Sequence, residues 1–134
     1  MMVRLFIAGL VAAAAVVTFA CAGGGTASPG ATSTPAGTPQ SAATIRAVKT
    51  LKYDRDSLIL SASQPVTVRF VNEDTGVPHD FAVYRDAAHT QLVAKTDICT
   101  APCEEQLQLD LTPGEYHFMC TVHPQQMEGM IIVR

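Results

Sequence analysis

Hydrophobic and polar residues alternate in short runs along the C-terminal two thirds of the chain. The alternation is clearest at residues 66–70, 80–83 and 106–111, where large apolar side chains recur at every second position. A period of two predicts β-strands that bury one face. Five shorter segments give further candidates: residues 45–51, 58–60, 91–95, 116–120 and 130–133. Turn-forming residues separate the runs, and no amphipathic stretch is long enough for a helix. The pattern therefore predicts an all-β sandwich of about eight strands.

The N-terminus has the pattern of an export signal. Residues 1–4 carry a positive charge, and residues 5–20 form an uncharged apolar stretch. A membrane span normally takes about 20 apolar residues, so this stretch is short for one. A cleaved signal peptide over residues 1–20 is predicted instead. Small Ala20 before Cys21 resembles the processing site of a bacterial lipoprotein, which makes Cys21 the candidate for lipidation. Ordinary cleavage after Ala20 or Ala22 is the alternative.

Residues 21–43 have the composition of a flexible linker. After Cys21 they consist of Gly, Ala, Ser, Thr and Pro with one Gln, and they carry no charge and no aromatic ring. Such a segment cannot bury a core, so it predicts a tether. A disordered leader without a role is the alternative. The folded domain is expected over residues 44–134, outside the cytoplasmic membrane and attached to it through the lipid.

Charge and composition exclude some classes of function. The chain has 12 Asp and Glu against 9 Lys and Arg, a net charge of -3, and its basic residues form no stripe. No nucleic-acid partner is expected. Four His and four Cys are enough for one metal centre and a disulfide, but too few for a zinc-finger array.

Metal-binding side chains are concentrated near the C-terminus. Cys120, His123 and Met127 lie where a predicted strand runs into a loop. A thiolate, an imidazole and a thioether together suit copper in both of its oxidation states. Alternation along the strand directs Cys120 inward. A second imidazole is expected from His79, which immediately precedes the predicted strand at residues 80–83. It shares the parity of Phe81 and Val83 and is therefore also directed inward.

These motifs resemble the copper site of cupredoxins, the small blue copper proteins that include plastocyanin, amicyanin and pseudoazurin. The resemblance covers about residues 44–134, and its most specific parts are the segments 77–81 and 114–129. It implies a Greek-key β-sandwich that holds one copper ion. His79, Cys120 and His123 match the three ligands that lie in a plane around the metal, and Met127 matches the weak axial ligand.

Two features depart from the common pattern of that family. Three residues separate His123 from Met127, where two or four are usual, so Met130 stays open as an alternative axial ligand. The residue after the first His is Asp80, where Asn is usual. Asp80 is expected to accept a hydrogen bond from Thr121, and its negative charge would favour oxidised copper.

Two further cysteines, Cys99 and Cys103, enclose a short loop. Export would place both thiols in an oxidising compartment, so a disulfide is expected. A second soft-metal site, or the binuclear copper centre of cytochrome oxidase, is the alternative. The binuclear centre requires a His at a spacing that does not occur after Cys103.

A metal held by two His, one Cys and one Met has no open position for a substrate. The resemblance therefore implies an electron carrier and not an enzyme, acting as a monomer that meets a redox donor and an acceptor transiently. A module for copper scavenging or delivery is the alternative, because Met119, Met130 and His117 supply further donors.

Redox partners are expected to meet the protein where the His123 ring comes to the surface. The surrounding rim would contain Val77, Pro78, Pro124 and the edge of Met127, all of them uncharged. Small and weakly polar contacts suit encounters that must end quickly. An acidic surface around Glu104 and Glu105 is the alternative docking site.

Overall fold

The computed structural model describes residues 35–134, so the predicted signal peptide, Cys21 and most of the predicted linker lie outside it. The described residues form eleven strands and no helix. The strands are β1 Ala42–Val48, β2 Lys52–Tyr53, β3 Ser57–Leu60, β4 Val66–Asn72, β5 Pro78–His79, β6 Ala82–Tyr84, β7 Leu92–Lys95, β8 Cys99–Thr100, β9 Cys103–Leu109, β10 Gly114–Met119 and β11 Glu128–Val133.

Two sheets contain most of these strands. The first has the order β2-β1-β4-β9 and the second the order β3-β11-β10-β6-β7, while β5 and β8 form a separate ribbon. The pairs β1 with β4 and β3 with β11 are parallel, and the remaining pairs are antiparallel. The predicted all-β sandwich is confirmed.

The inward side chains of both sheets form one hydrophobic core. Phe70 from β4 and Phe118 from β10 are completely buried within it. The ring of Tyr53 meets Phe81 and Phe118 edge-on, with centroid distances of 6.0 and 5.4 Å. Edge-to-face contacts of this kind add to the stabilisation that burial of apolar area provides.

Eight of the strands correspond to the eight predicted runs, and the differences are local. The strands β2, β5 and β8 have only two residues each, too few to show a period. The run at residues 80–83 does not alternate in burial, since Asp80 and Ala82 are as fully buried as Phe81 and Val83.

The composition placed the start of the folded domain at Thr44. In the structure, the folded unit begins earlier in the chain. Strand β1 starts at Ala42, and Gln40 already forms a bridge with Leu60. The Gly37 carbonyl accepts a hydrogen bond from Arg134. Residues 37 and 40 make these contacts through backbone groups, which composition does not distinguish from those of a linker.

One end of the sandwich collects the loops that carry the predicted ligands. Strand β10 ends there at Met119, and β11 begins there after the loop of residues 120–127. Strand β4 ends there at Asn72, and the ribbon that follows pairs His79 with Cys99.

Because the described residues form no helix, they contain no helix that could span a membrane.

Candidate metal centre

Three of the four predicted ligands converge at this end of the sandwich. The Nδ1 atom of His79 lies 3.1 Å from Nδ1 of His123 and 3.6 Å from Sγ of Cys120. Sγ of Cys120 lies 3.7 Å from Nδ1 of His123. His79 and Cys120 are fully buried, and His123 is half-buried. Residues from two loops that are far apart in the sequence therefore direct three donor atoms at one point.

The spacing and chemistry of these atoms fit a single metal ion. Metal bonds of about 2.0 Å to nitrogen and about 2.3 Å to sulfur, meeting at a wide angle, separate the donor atoms by roughly 3–4 Å. All three separations given above lie in that range. Two imidazoles and one thiol are donor groups that suit copper.

The loop of residues 120–127 is held by its own backbone. The His123 amide donates to the Cys120 carbonyl at 3.2 Å, and the Met127 amide donates to the His123 carbonyl at 3.1 Å. The Cys120 amide donates to the Met127 carbonyl at 2.9 Å, which closes the loop. Met127 thus lies beside Cys120 in the backbone, and its side chain is fully buried.

Met130, the other candidate for the axial ligand, lies on a different face. It is the cross-strand partner of His117, and both residues are half-buried on the outer side of the second sheet. The ring of His89 lies near that of His117, at a centroid distance of 6.2 Å. These donors are not brought together with His79, Cys120 and His123.

Asp80 ties the two ligand loops together. Its fully buried carboxylate accepts hydrogen bonds from the Thr121 amide at 2.7 Å and from the Thr121 hydroxyl at 2.5 Å. Nζ of Lys95 lies 4.0 Å from the same carboxylate. The Tyr53 hydroxyl donates to the Asp80 carbonyl at 2.6 Å. A negative charge is therefore held beside the loop that carries Cys120.

Asp74 is a second carboxylate at the site, and its place there was not predicted from the sequence. Its Oδ2 atom lies 3.2 Å from Nε2 of His79. In the sequence Asp74 is part of a turn signal, Asp74-Thr75-Gly76, and nothing local distinguishes it from any other turn residue. The one available signal is that it follows a strand shortly before the candidate ligand His79.

Burial changes the acidity of two of the metal-site side chains. It raises the pKa of the Cys120 thiol above its usual value, although hydrogen bonds from nearby backbone groups oppose this effect. Burial, together with the neighbouring His79 ring, lowers the pKa of His123. In the metal-free protein, both shifts favour a neutral site.

Cys99 and Cys103 form a disulfide, with their Cα atoms 6.2 Å apart. Cys99 belongs to β8, whose partner strand carries His79. The disulfide therefore braces the ribbon that positions this imidazole. Among the described cysteines, Cys120 alone has a free thiol.

The uncharged residues that were predicted to surround His123 differ in their exposure. Pro78 and Pro124 are exposed, and Val77 is half-buried. Val122, next to His123 in the chain, is 36% exposed, whereas Met127, which was also predicted for the rim, is fully buried and so does not contribute to it. Glu104, part of the alternative acidic surface, is instead paired with Arg69.

A family model for the cupredoxin-like domain matches residues 11–133 of the chain. No curated protein sequence gives a significant match.

Several solved structures have the same fold at low sequence identity. Dithionite-reduced auracyanin from the photosynthetic bacterium Roseiflexus castenholzii is 20% identical, with a TM-score of 0.66, and the match covers 72% of this chain and 99% of that one. Auracyanin A, a blue copper protein from Chloroflexus aurantiacus, is 18% identical with a TM-score of 0.62, covering 69% and 98%. Rusticyanin from Thiobacillus ferrooxidans is 21% identical with a TM-score of 0.60, covering 68% and 75%.

Proposed function

The chain belongs to the cupredoxin-like family, and from that premise we propose that it is a mononuclear blue copper protein that carries single electrons between redox partners. The observation that carries the proposal is the convergence of His79, Cys120 and His123, whose donor atoms lie 3.1–3.7 Å apart. We assign Met127 as the axial ligand, because its side chain is buried and its backbone closes the loop on Cys120.

Copper held by these residues would supply one-electron chemistry between its two oxidation states. The role of the polypeptide is to hold the donor atoms in place. The buried His79 is fixed by its ribbon and Cys120 by its closed loop, so little rearrangement would accompany a change of charge. The half-buried His123 gives the site its path toward the surface. The four residues leave no position for a substrate, which favours a carrier over an enzyme.

Burial also separates this proposal from copper delivery. A delivery module must release its ion, whereas His79, Cys120 and Met127 have no exposed surface. The soft donors that favoured delivery, Met130 and His117, lie on the outer side of the second sheet, away from this site.

Copper loading and an absorption spectrum test the assignment. The loaded protein should take up one copper, show an intense visible band from the Cys120 thiolate and cycle between oxidation states without losing metal. Cys120→Ser should abolish the band while the sandwich still folds. Retention of the band in that variant would overturn the assignment.

A pair of methionine variants tests the axial position. Met127→Leu should shift both the potential and the spectrum, because it removes the thioether while nearly conserving volume. Met130→Leu is the matched control and should leave both unchanged. If the Met130 variant alone alters the copper spectrum, the assigned sulfur is wrong.

We propose further that the protein is exported and held at the outer face of the cytoplasmic membrane by a lipid on Cys21. Residues 1–20 would be the signal peptide, and most of the segment up to residue 43 would be a tether. The apolar stretch before Cys21 and the uncharged small residues after it support this proposal.

The intact mass of the mature protein tests the anchor. A lipidated protein should begin at Cys21, carry the added mass of acyl chains and partition with membranes, and Cys21→Ser should release it or block its maturation. A mature protein with an unmodified N-terminus would instead support ordinary cleavage.

A further inference from the structure

Asp74 contacts the candidate ligand His79 on the side away from the other donors. The Nδ1 atom of His79 faces Cys120 and His123, whereas its Nε2 atom lies 3.2 Å from a carboxylate oxygen of Asp74. Both residues are buried, with 0% and 7% of their surface exposed. The contact therefore lies largely out of water, where a hydrogen bond to a charged group is stronger than at the surface.

Asp74 is itself held in place by the turn that contains it. The side-chain oxygen of Asn72 accepts a hydrogen bond from the Asp74 amide at 3.0 Å, and the Asp74 carbonyl accepts one from Val77 at 3.0 Å. Asn72 is also buried, and its amide nitrogen donates to the carbonyls of Val77 and Cys99 at 2.8 Å each. These hydrogen bonds hold the turn against the disulfide-braced ribbon. They therefore fix the position from which the Asp74 carboxylate reaches His79.

This contact determines which nitrogen of His79 carries the proton. A neutral imidazole has one N–H, and an ionised carboxylate can only accept. With the proton on Nε2, Asp74 receives a hydrogen bond, and Nδ1 is left with a lone pair directed at the metal position. With the proton on Nδ1, two acceptors, Nε2 and the carboxylate, would face each other at 3.2 Å in a buried place.

From this geometry we propose that Asp74 is a positioning residue: its carboxylate holds the proton of His79 on Nε2 and so presents Nδ1 to the metal. The tautomer is a property of the chain alone. Its consequence for copper rests on the proposed function: a carboxylate bound to the far nitrogen makes the ligand more basic and favours the oxidised ion.

The two buried carboxylates of the site have different tasks. Asp80 binds Thr121 and fixes the loop of Cys120. Asp74 binds His79 directly. Removing either charge should raise the potential, but only removal of the Asp74 hydrogen-bond acceptor should change the tautomer of His79.

Nitrogen-15 NMR of the imidazoles in the metal-free protein tests the tautomer. In the wild type, the proton of His79 should be on Nε2. In Asp74→Asn the side-chain oxygen can still accept, so the tautomer should be kept. In Asp74→Ala it should shift toward Nδ1, which can then donate to His123. A wild-type proton on Nδ1, or an unchanged tautomer in Asp74→Ala, would overturn the proposal.

Copper loading adds a second measurement. Asp74→Ala should lose about 10- to 100-fold in copper affinity, and Asp74→Asn should keep most of its affinity while its potential rises. The matched control is Glu73→Gln, which removes the neighbouring charge, an exposed carboxylate paired with Arg46. If Glu73→Gln raises the potential as much as Asp74→Asn, the effect is general electrostatics and the direct contact does not cause it.

The two measurements keep the proposals separate. If the wild type gives no blue centre with copper, the proposed function fails, and the tautomer in the metal-free protein still decides the role of Asp74. If the wild type is blue but Asp74→Ala has the wild-type tautomer, the role of Asp74 fails alone.

Discussion

At the scale of single residues, the buried charge of Asp80 should set part of the copper potential. Asp80→Asn keeps the contact with Thr121, since the amide oxygen can accept from the backbone N–H and the amide nitrogen can donate to the hydroxyl. The charge is lost, so the oxidised ion loses stabilisation. We expect the potential to rise by an amount on the order of 60 mV, which corresponds to one tenfold change in the preference between oxidation states.

Voltammetry of the loaded protein measures this shift. Asp110→Asn is the control, because it removes an exposed carboxylate near the opposite end of β9. An unchanged potential in Asp80→Asn would mean that Lys95 already neutralises the carboxylate.

The lowered pKa of His123 predicts a pH dependence in the metal-free protein. Burial and the His79 ring disfavour the charged imidazolium in the folded state, and the unfolded chain takes up that proton more readily. The free energy of unfolding should therefore fall as the pH drops from the ordinary pKa of His, about 6.5, to the lowered value, and this contribution should then level off.

Urea unfolding of the metal-free protein at several pH values measures this dependence. Carboxylates also titrate as the pH falls, so the comparison is made with His123→Gln, which should have a smaller dependence near pH 6. Identical profiles for the two proteins would show that His123 does not contribute.

At the scale of the elements, one glycine allows β10 and β11 to pair beside the metal loop. Gly129 lies directly opposite Phe118, and a Cβ atom at Gly129 would overlap the Phe118 ring and the Asp56 carbonyl. Gly129→Ala should therefore destabilise the protein by roughly 1–3 kcal/mol, the usual cost of overpacking. Urea unfolding measures the loss. Glu128→Ala changes the exposed neighbour and should stay within about 0.5 kcal/mol of the wild type.

The strands also show which features of the fold could be predicted from the sequence and which could not. Alternation correctly placed Phe118 and Cys120 inward, because side-chain direction in a strand follows from the local backbone. The parallel pairing of β1 with β4 could not be predicted in this way, since it depends on which hydrophobic faces meet in three dimensions.

The same distinction applies to the metal site: its ligands could be predicted from the sequence, whereas some of the contacts to them could not. The ligand types carry their own chemistry, so His79, Cys120 and His123 could be proposed from their order and the family resemblance. Asp74 and Tyr53 could not be proposed from the alternation pattern. The turn between Asp74 and His79 brings these two residues together, and Tyr53 reaches the Asp80 carbonyl across the fold. Asp80 stands out in the sequence only because the family usually has Asn at its position.

At the scale of the whole molecule, the uncharged rim around His123 predicts where the proposed carrier would exchange electrons. Val77→Lys should leave the copper spectrum and potential nearly unchanged, because the side chain lies outside the ligand set. It should slow electron exchange between two copies of the protein about tenfold or more at low salt, because like charges would then face each other at the contact.

Electron self-exchange, measured by NMR line broadening in mixtures of the two oxidation states, tests this prediction. Asp110→Lys introduces a charge of the same sign at the other end of the sandwich and should have a much smaller effect. Equal slowing by both variants, or no slowing by either, would move the electron route away from His123.

The hydrogen bond between Arg134 and the Gly37 carbonyl has a consequence for orientation. Arg134 follows the end of β11 that is remote from the ligand loops, and Gln40 bridges to Leu60 in the same region. The polypeptide thus enters the sandwich at the pole opposite the donor cluster. If the N-terminus is attached to a bilayer, the attachment acts at the end of the domain that is remote from the donor cluster. The end that carries His123 would then be free to face away from the membrane.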